Sequence, residues 1–463
     1  MSGGCGQAKR TRPGVGPTEV ARAPSLLEEI PRFMQLEREV EEEFRPAMRE
    51  SLRAKIVKEA KALSGSAPEC TDCHRRMESR GRSTATFLCR FGEVAVDSNS
   101  HRCKSCKKTR NILHERLGVE IGRVCGAFAR LIALLGVIVS YEQAAMLGFI
   151  FFGVQVSTMT VWREVQRLGE AAEQYTEAQA KYHGSPHAAT ETVSDAPKAV
   201  VLGVDGCALG MQVRSKRRRQ PEDGSRLPPL PPVEDGHFRE VKTGVLLLPE
   251  ERVESSPSRH TVIRRALVTC LGNADQVFDR LWAKLHELQW YGPQTVVVIV
   301  GDGAAWIWNR AAMFTNRCEI LDFWHAIEHA WEVARLCFGP ESETARCWVD
   351  NITVQLRAGK IEALIAELHK LTTSNAQQKE ALDGLIRYYT ENASRMRYDE
   401  YLRLGYGIGS GAVESAHKQV VHSRLRQAGM RWSEAGARRL LALRALLLNG
   451  NWATLDRLAK KAA

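Results

Sequence analysis

The run QTVVVIVGDG at 294–303 constrains this chain more than any other stretch. Its aliphatic core has no polar interruption, the pattern of a strand buried on both faces. Such a strand needs cover on each side, which calls for a sheet with helices. It runs into Asp302, followed by glycine. A second apolar strand, AVVLGV at 199–204, ends the same way at Asp205 and Gly206. REVKTGVLLL (239–248), RRALVTC (264–270) and RCEILDF (317–323) are further strand candidates. ADQVFDRLWAKLHELQW (274–290) has the period of an amphipathic helix, and from Trp324 almost to the end the pattern is helical. The expected fold is multidomain α/β, a mixed sheet with a long helical region, since 463 residues exceed one simple domain.

A buried strand that ends in Asp-Gly projects its carboxylate at the sheet edge, where ligands bind. A third acid, Glu414, lies in GIGSGAVESAHK, where glycines precede a helix. Two such strands side by side, with a Glu from a helix packed beneath, offer hard oxygen ligands for two Mg²⁺ ions roughly 4 Å apart, with Mn²⁺ able to substitute. Each acid alone has a plainer reading, as a turn residue, a helix cap or a capping partner. The combination carries the expectation.

Upstream, Cys70 and Cys73 form one Cys-x-x-Cys pair, and Cys103 and Cys106 form another. Two such turns can supply a tetrahedral, structural Zn²⁺ site. STATFLCRFGEVAVDS (83–98) alternates between them like a β-hairpin, a zinc-ribbon layout. Cys89 reads as packing on that hairpin, and His74 and His101 as bystanders. Lys104, Lys107, Lys108 and Arg110 are either phosphate contacts or a solvated face. SYEQAAMLGFIFFGVQVSTMTVWREVQRLGE (140–170) reads as two helices, the first capped by Ser140 with Gln143, the second by Ser157. A helix-turn-helix would put Arg163, with Thr158, Thr160, Trp162, Gln166 and Arg167, at a DNA groove. The plain alternative is a helical connector.

The chain divides accordingly. Residues 1–65 are a disordered arm and charged helix, 66–110 the zinc ribbon and 111–172 the helix-turn-helix-like region. A polar linker at 173–195 leads to the first part of the sheet core, 198–329. A helical stretch comes next at 330–405, then the second part of the core, 406–452. A basic, proline-rich insert at 214–236 interrupts the early strands. The formal charge of +11 suits an acidic partner without choosing between nucleic acid and an anionic membrane. No apolar stretch is long enough to span a bilayer, and the first residues lack a secretory core, so a reducing cytoplasm is the expected setting. There the twelve cysteines read as metal ligands or buried thiols.

VLGVDG, VVVIVGDGAAWIW, CEILDFWHAIEHAW, GYGIGSGAVESAHKQV and RLRQAGMRWSEAGARRLLALRALLLNGNW together resemble bacterial insertion-sequence transposases of the DDE superfamily. The similarity runs from about Cys70 to Trp452 and takes in the cysteine pairs. It implies an RNase H-like core in which Asp205, Asp302 and Glu414 hold the Mg²⁺ ions, with a helical insertion between the last two. It implies hydrolysis at transposon ends, strand transfer into double-stranded DNA, and a homo-oligomer that joins two ends. Such enzymes often carry an Asp or Cys two residues short of a His, after the strand that follows the second Asp. Here these are Asp322 and His325, with His325 expected at DNA and His329 one turn on. Lys418 and Arg424, with Arg426 and Arg431, would line the DNA channel. Two alternatives remain: a transposase-derived DNA-binding regulator that no longer cuts, and a nuclease for RNA–DNA hybrids or junctions.

Overall fold

The computed structural model describes residues 31–63, 67–119, 124–184, 196–212, 237–256, 259–262, 264–340 and 342–461. The expected arm at 1–25 and the insert at 214–236 lie outside these residues.

Helix α1 (Arg32–Leu63) is one continuous charged helix, with Ile56 its buried residue. It lies on a hairpin, β1 (Glu78–Cys89) and β2 (Gly92–Arg102), joined by a two-residue turn. The alternation in 83–98 is what one covered face requires. Ala85, Phe87, Cys89, Val94 and Val96 point inward, and meet Ile56 and Leu113 in a small core. Cys89 is therefore packing, as expected. A short β3 (Thr109–Arg110) adds to β2, and α2 (Ile112–Leu117) comes after it, capped by Asn111.

Three helices come next: α3 (Gly126–Ile138), α4 (Tyr141–Phe152) and α5 (Thr158–His183). Ser140 and Gln143 form the expected capping box, and Ser157 accepts from the Thr160 amide. The linker expected at 173–195 is helical as far as His183. Polar sequence misled here: α5 needs only a narrow apolar stripe, because it runs along the protein surface. Its inner face, Val161, Val165, Leu168 and Ala172, belongs to one hydrophobic core that extends from Val124 to Leu455. The α3–α5 region thus shares its core with the sheet. At Gly169 a Cβ would stand 2.6 Å from that of Arg439, so glycine lets α5 lie directly on the last long helix.

The sheet has five strands. They are β4 (Ala199–Gly210), β5 (Phe238–Leu247), β8 (Arg265–Cys270), β9 (Val296–Gly301) and β10 (Arg317–Leu321), with β6 (Arg252–Ser256) and β7 (Arg259–Val262) forming a separate ribbon. The order is β10-β9-β4-β5-β8. β4, β9 and β10 are parallel, while β4, β5 and β8 run antiparallel. The expected mixed α/β sheet is what forms. α6 (Ala274–Glu287) covers one face, its Leu281 against Gly244. Gly244 pairs with Val204, so Gly203 faces the other side, where it meets Val413 of α13 (Gly411–His417). α7 (Ala305–Ala311) packs Ile307 on Gly301.

Between β10 and α13 stand five helices, α8 (Phe323–Phe338), α9 (Glu343–Arg357), α10 (Ile361–Leu368), α11 (Ala376–Asn392) and α12 (Tyr398–Arg403). Trp331 and Trp348 are partly buried on the core here. After α13 the helix widens into a π turn, Lys418–His422, then tightens as α14 (Ser423–Leu425). α15 (Glu434–Leu448) and α16 (Thr454–Lys461) complete the chain. No helix among the described residues is long and apolar enough to cross a membrane.

Candidate metal sites and nucleic-acid surface

β4 and β9 are hydrogen-bonded neighbours, and their pairing ends at Gly203 opposite Val300. Asp205 lies two residues beyond Gly203, and Asp302 two residues beyond Val300. Register therefore brings both acids to the end of the β4–β9 pairing, Asp205 within β4 and Asp302 as the first residue past β9. One detail differs from expectation. Asp205 does not end its strand, because β4 continues to Gly210 along β5. It sits where the parallel neighbour β9 stops, which opens the sheet beside it.

Each carboxylate is steadied by the local backbone. Asp205 Oδ1 accepts from the Gly206 amide at 2.6 Å, and Asp302 Oδ1 from the Ala304 amide at 3.0 Å. The tight turn after Asp302 needs Gly303, with φ of 98°, and packs on Tyr388 of α11. The Tyr388 hydroxyl donates to the Asp302 carbonyl at 2.8 Å. Burial, then the nearby Asp302 and Asp322 charges, hold that phenol protonated well above its usual range, so it remains a donor. Glu414 is exposed on the first turn of α13, with Ser410 Oγ 3.4 Å from its Oε1.

The loop before α13 is held from below by Asp322. This carboxylate is 2 % exposed. Its Oδ1 accepts from the Trp324 and His325 amides and caps α8, while its Oδ2 accepts from the Ser410 amide at 2.7 Å. The Phe323 amide donates to Ile408 at 2.9 Å. Gly409 fits beneath Trp324, where a Cβ would come within 3.0 Å of the indole. His325 and His329 lie further along α8, and His329 packs against the Tyr388 ring at 4.3 Å. The helical stretch thus reaches the Asp302 turn through Tyr388.

Among the described residues, the three acids do not converge on one point as ligands of a single ion would. The donor set fits divalent Mg²⁺: all three are hard oxygens, and Asp205 and Asp302 each keep one oxygen clear of the backbone amides.

The cysteines do converge. Sγ atoms of Cys70, Cys73, Cys103 and Cys106 all lie within 4.8 Å of one another. Cys70 and Cys106 are 3.4 Å apart, and Cys73 and Cys103 are 3.3 Å apart. Tetrahedral Zn–S bonds of about 2.3 Å place sulfurs about 3.8 Å apart, so this cluster can hold zinc. The two turns have matching backbones. The Cys70 amide donates to Arg75 and the Cys103 amide to Lys108, and the residues four after each first cysteine, His74 and Lys107, take positive φ. The Cys106 amide, then the Cys73 thiol, lowers Cys103 to about 6, whereas the bond shared with Cys103 pushes Cys73 up to about 12. Four crowded thiols thus divide into ready thiolates and retained protons, and a cation would release the rest. Neither His74 nor His101 joins the cluster.

The cationic residues sort by exposure. Arg163, Lys418, Arg426 and Arg431 are exposed, and His325 is partly so. Arg424 is not: it is 1 % exposed, and its Nε donates to the Gly136 carbonyl at 3.0 Å. Its guanidinium lies over Tyr141 and Trp432. The expectation that Arg424 lines a DNA channel is corrected: its guanidinium is buried in the core, between the Gly136 carbonyl and the Tyr141 and Trp432 rings. Gln166 is also buried, against Arg439 and Gly436. Near the cysteines, Lys104 pairs with Glu78, Lys108 with Asp72 and Arg110 with Glu115, so three of the four local cations have acidic partners.

Several residues that shape the site were missed in the sequence. Arg444 is buried, with Nε on the Val420 carbonyl and another nitrogen on Val137, both at 2.6 Å. The lone charge in LLALRALLL was the available signal. His417, three residues after Glu414, was a second, since that spacing shares a helix face. Tyr388 carried no local signal.

A family model described as "Uncharacterised protein family (UPF0236)" matches residues 233–462, a little under half of the chain. The match includes Asp302 and Glu414 but starts after Asp205. No curated protein matches. Among solved structures, a chain of the "Drosophila P element transposase strand transfer complex" is similar at 12% identity. The alignment covers 76% of this chain and 83% of that one, with a TM-score of 0.25, too loose to carry an argument.

Proposed function

We propose that this chain is a DNA transposase of the RNase H-like, two-metal kind, with Asp205, Asp302 and Glu414 as the metal ligands. One observation carries the reading. Asp205 on β4 and Asp302, the first residue after β9, both lie where the parallel pairing of these strands ends, and α13, which bears Glu414, packs on the same sheet face as Gly203. Acids gathered at one end of a sheet in this way suit a pair of divalent ions. Bound Mg²⁺ would activate the attacking oxygen and stabilise the leaving one. The chain's own part is positioning. The Gly206 and Ala304 amides orient the two Asp carboxylates, Tyr388 holds the Asp302 turn, and Asp322 holds the Glu414 loop. Water would be the first nucleophile and a DNA 3′-hydroxyl the second.

Lys418, one residue past α13, and the exposed Arg163 and His325 are the proposed phosphate contacts, with Arg426 and Arg431 beside them. The Cys70–Cys106 region is proposed as a zinc ribbon, and α4 and α5 as a DNA-reading pair whose Arg163 end stays exposed. Joining two transposon ends calls for more than one copy of the chain.

The test is Mg²⁺-dependent cleavage of the gene's own flanking DNA by the purified protein, beside Asp302→Asn. Cleavage at defined ends by the native protein, with a variant that binds but does not cut, is the expected result. Equal binding and no cutting under Mg²⁺ or Mn²⁺ would leave a DNA-binding protein and sink the enzyme.

A further inference from the structure

We infer that His417 is the positioning residue for Asp205, the partner that sets how this carboxylate faces the divalent ions; the inference rests on the two-metal reading. His417 is 5 % exposed, on the helix that carries Glu414. Its Nδ1 stands 3.4 Å from Asp205 Oδ2, while Oδ1 is already held by the Gly206 amide. Its Nε2 is buried and has no hydrogen-bond partner among the described residues. A proton on Nε2 would be stripped of water with nothing to receive it. In the neutral ring the proton therefore belongs on Nδ1, aimed at Asp205. Nδ1 then faces Oδ2 within ion-pair reach while Oδ1 accepts from the Gly206 amide, and each oxygen keeps a lone pair for a cation.

The next turns of chain fix the ring in place. Directly after His417 the helix opens into the π turn 418–422, a departure that often marks functional helices. The carbonyls of Gln419 and Val420 are taken up by Arg444, which also binds Val137 at the end of α3. A buried guanidinium with those partners leaves α13 little freedom to roll. One short helix thus delivers Glu414 as a ligand and His417 as the orienting donor to Asp205, so the two acids are set together. Carboxylates that bind metals are themselves commonly held by such outer hydrogen bonds.

The experiment is Mn²⁺ binding to the full-length, zinc-loaded protein, monitored by electron paramagnetic resonance, for the native chain, His417→Leu, His417→Asn and Asp205→Asn. Leucine fills the space without a donor; asparagine restores one. We expect His417→Leu to weaken the Asp205-dependent Mn²⁺ site roughly 10- to 100-fold. His417→Asn should recover most of that loss, and the thermal midpoints of the two variants should match. Native-like affinity in His417→Leu, or equal loss in both His417 variants with matched midpoints, overturns the inference. If Asp205→Asn binds Mn²⁺ as the native chain does, the two-metal reading falls first and this inference with it.

Discussion

Asp322 shows how much one buried carboxylate can organise. One of its oxygens caps α8 at two amides, and the other holds Ser410 at the entrance to α13. The residue thus joins the start of the helical stretch to the loop that presents Glu414. Asparagine cannot copy it, because its amide nitrogen would turn a donor toward a donor at one end. Hydrogen bonds to a charged group contribute about 1.5–3 kcal/mol each. Asp322→Asn should therefore destabilise the fold by about 2 kcal/mol in denaturant titration. Amide exchange at Ser410–Val413 should quicken more than at β9. Uniform exchange across the molecule would show that Asp322 has no special hold on the Glu414 loop.

At the scale of elements, the contact between α5 and α6 carries a pH dependence. His183, the last residue of α5, stacks on His286 of α6 at 5.4 Å. His286 also packs on Trp282 at 4.4 Å. Burial, and then the His183 charge, hold the His286 pKa below 6.5. Below 6.5 and down to the folded value, the unfolded chain binds more protons than the folded one. Stability therefore rises with pH through that window and falls on acidification. The thermal midpoint should drop between about pH 7.5 and about pH 5.5, and His286→Phe, which keeps the ring contacts, should drop less. Parallel curves for the two proteins would remove His286 as a source.

Among the described residues, two apolar cores of very different size stand beside the cluster of Cys70, Met77 and Cys103. The extensive one runs from Val124 to Leu455, and the small one lies under α1 and the hairpin. A core as slight as the second needs further support, which a metal held by the four cysteines would supply. Chelating the metal, or Cys103→Ser, should open residues 67–119 to hydrogen exchange while β4 and β9 stay protected. If the hairpin amides exchange no faster, the thiols do not hold a structural metal. Much of this architecture was legible locally. The strands, the α6 helix, the hairpin and the capping box at Ser140 arise from period and cap residues, each set by neighbours a few positions away. The acids too were marked, by apolar runs that end in Asp-Gly. Local pattern could not decide pairing. That β9 lies beside β4, in the register that brings Asp302 and Asp205 to the end of their pairing, depends on contacts between segments far apart in the chain. Nor could it decide burial of the polar exceptions. Arg424 in RLRQAGMRW has the composition of a DNA-facing arginine, but Gly136, Tyr141 and Trp432 surround it only after α3 and α4 dock. Sequence alone determined most of the elements, though not the reach of α5 or the β6–β7 ribbon, and which acids to examine. Tertiary packing decided which side chains meet them, because hydrogen bonding and burial depend on neighbours that only the folded chain brings together.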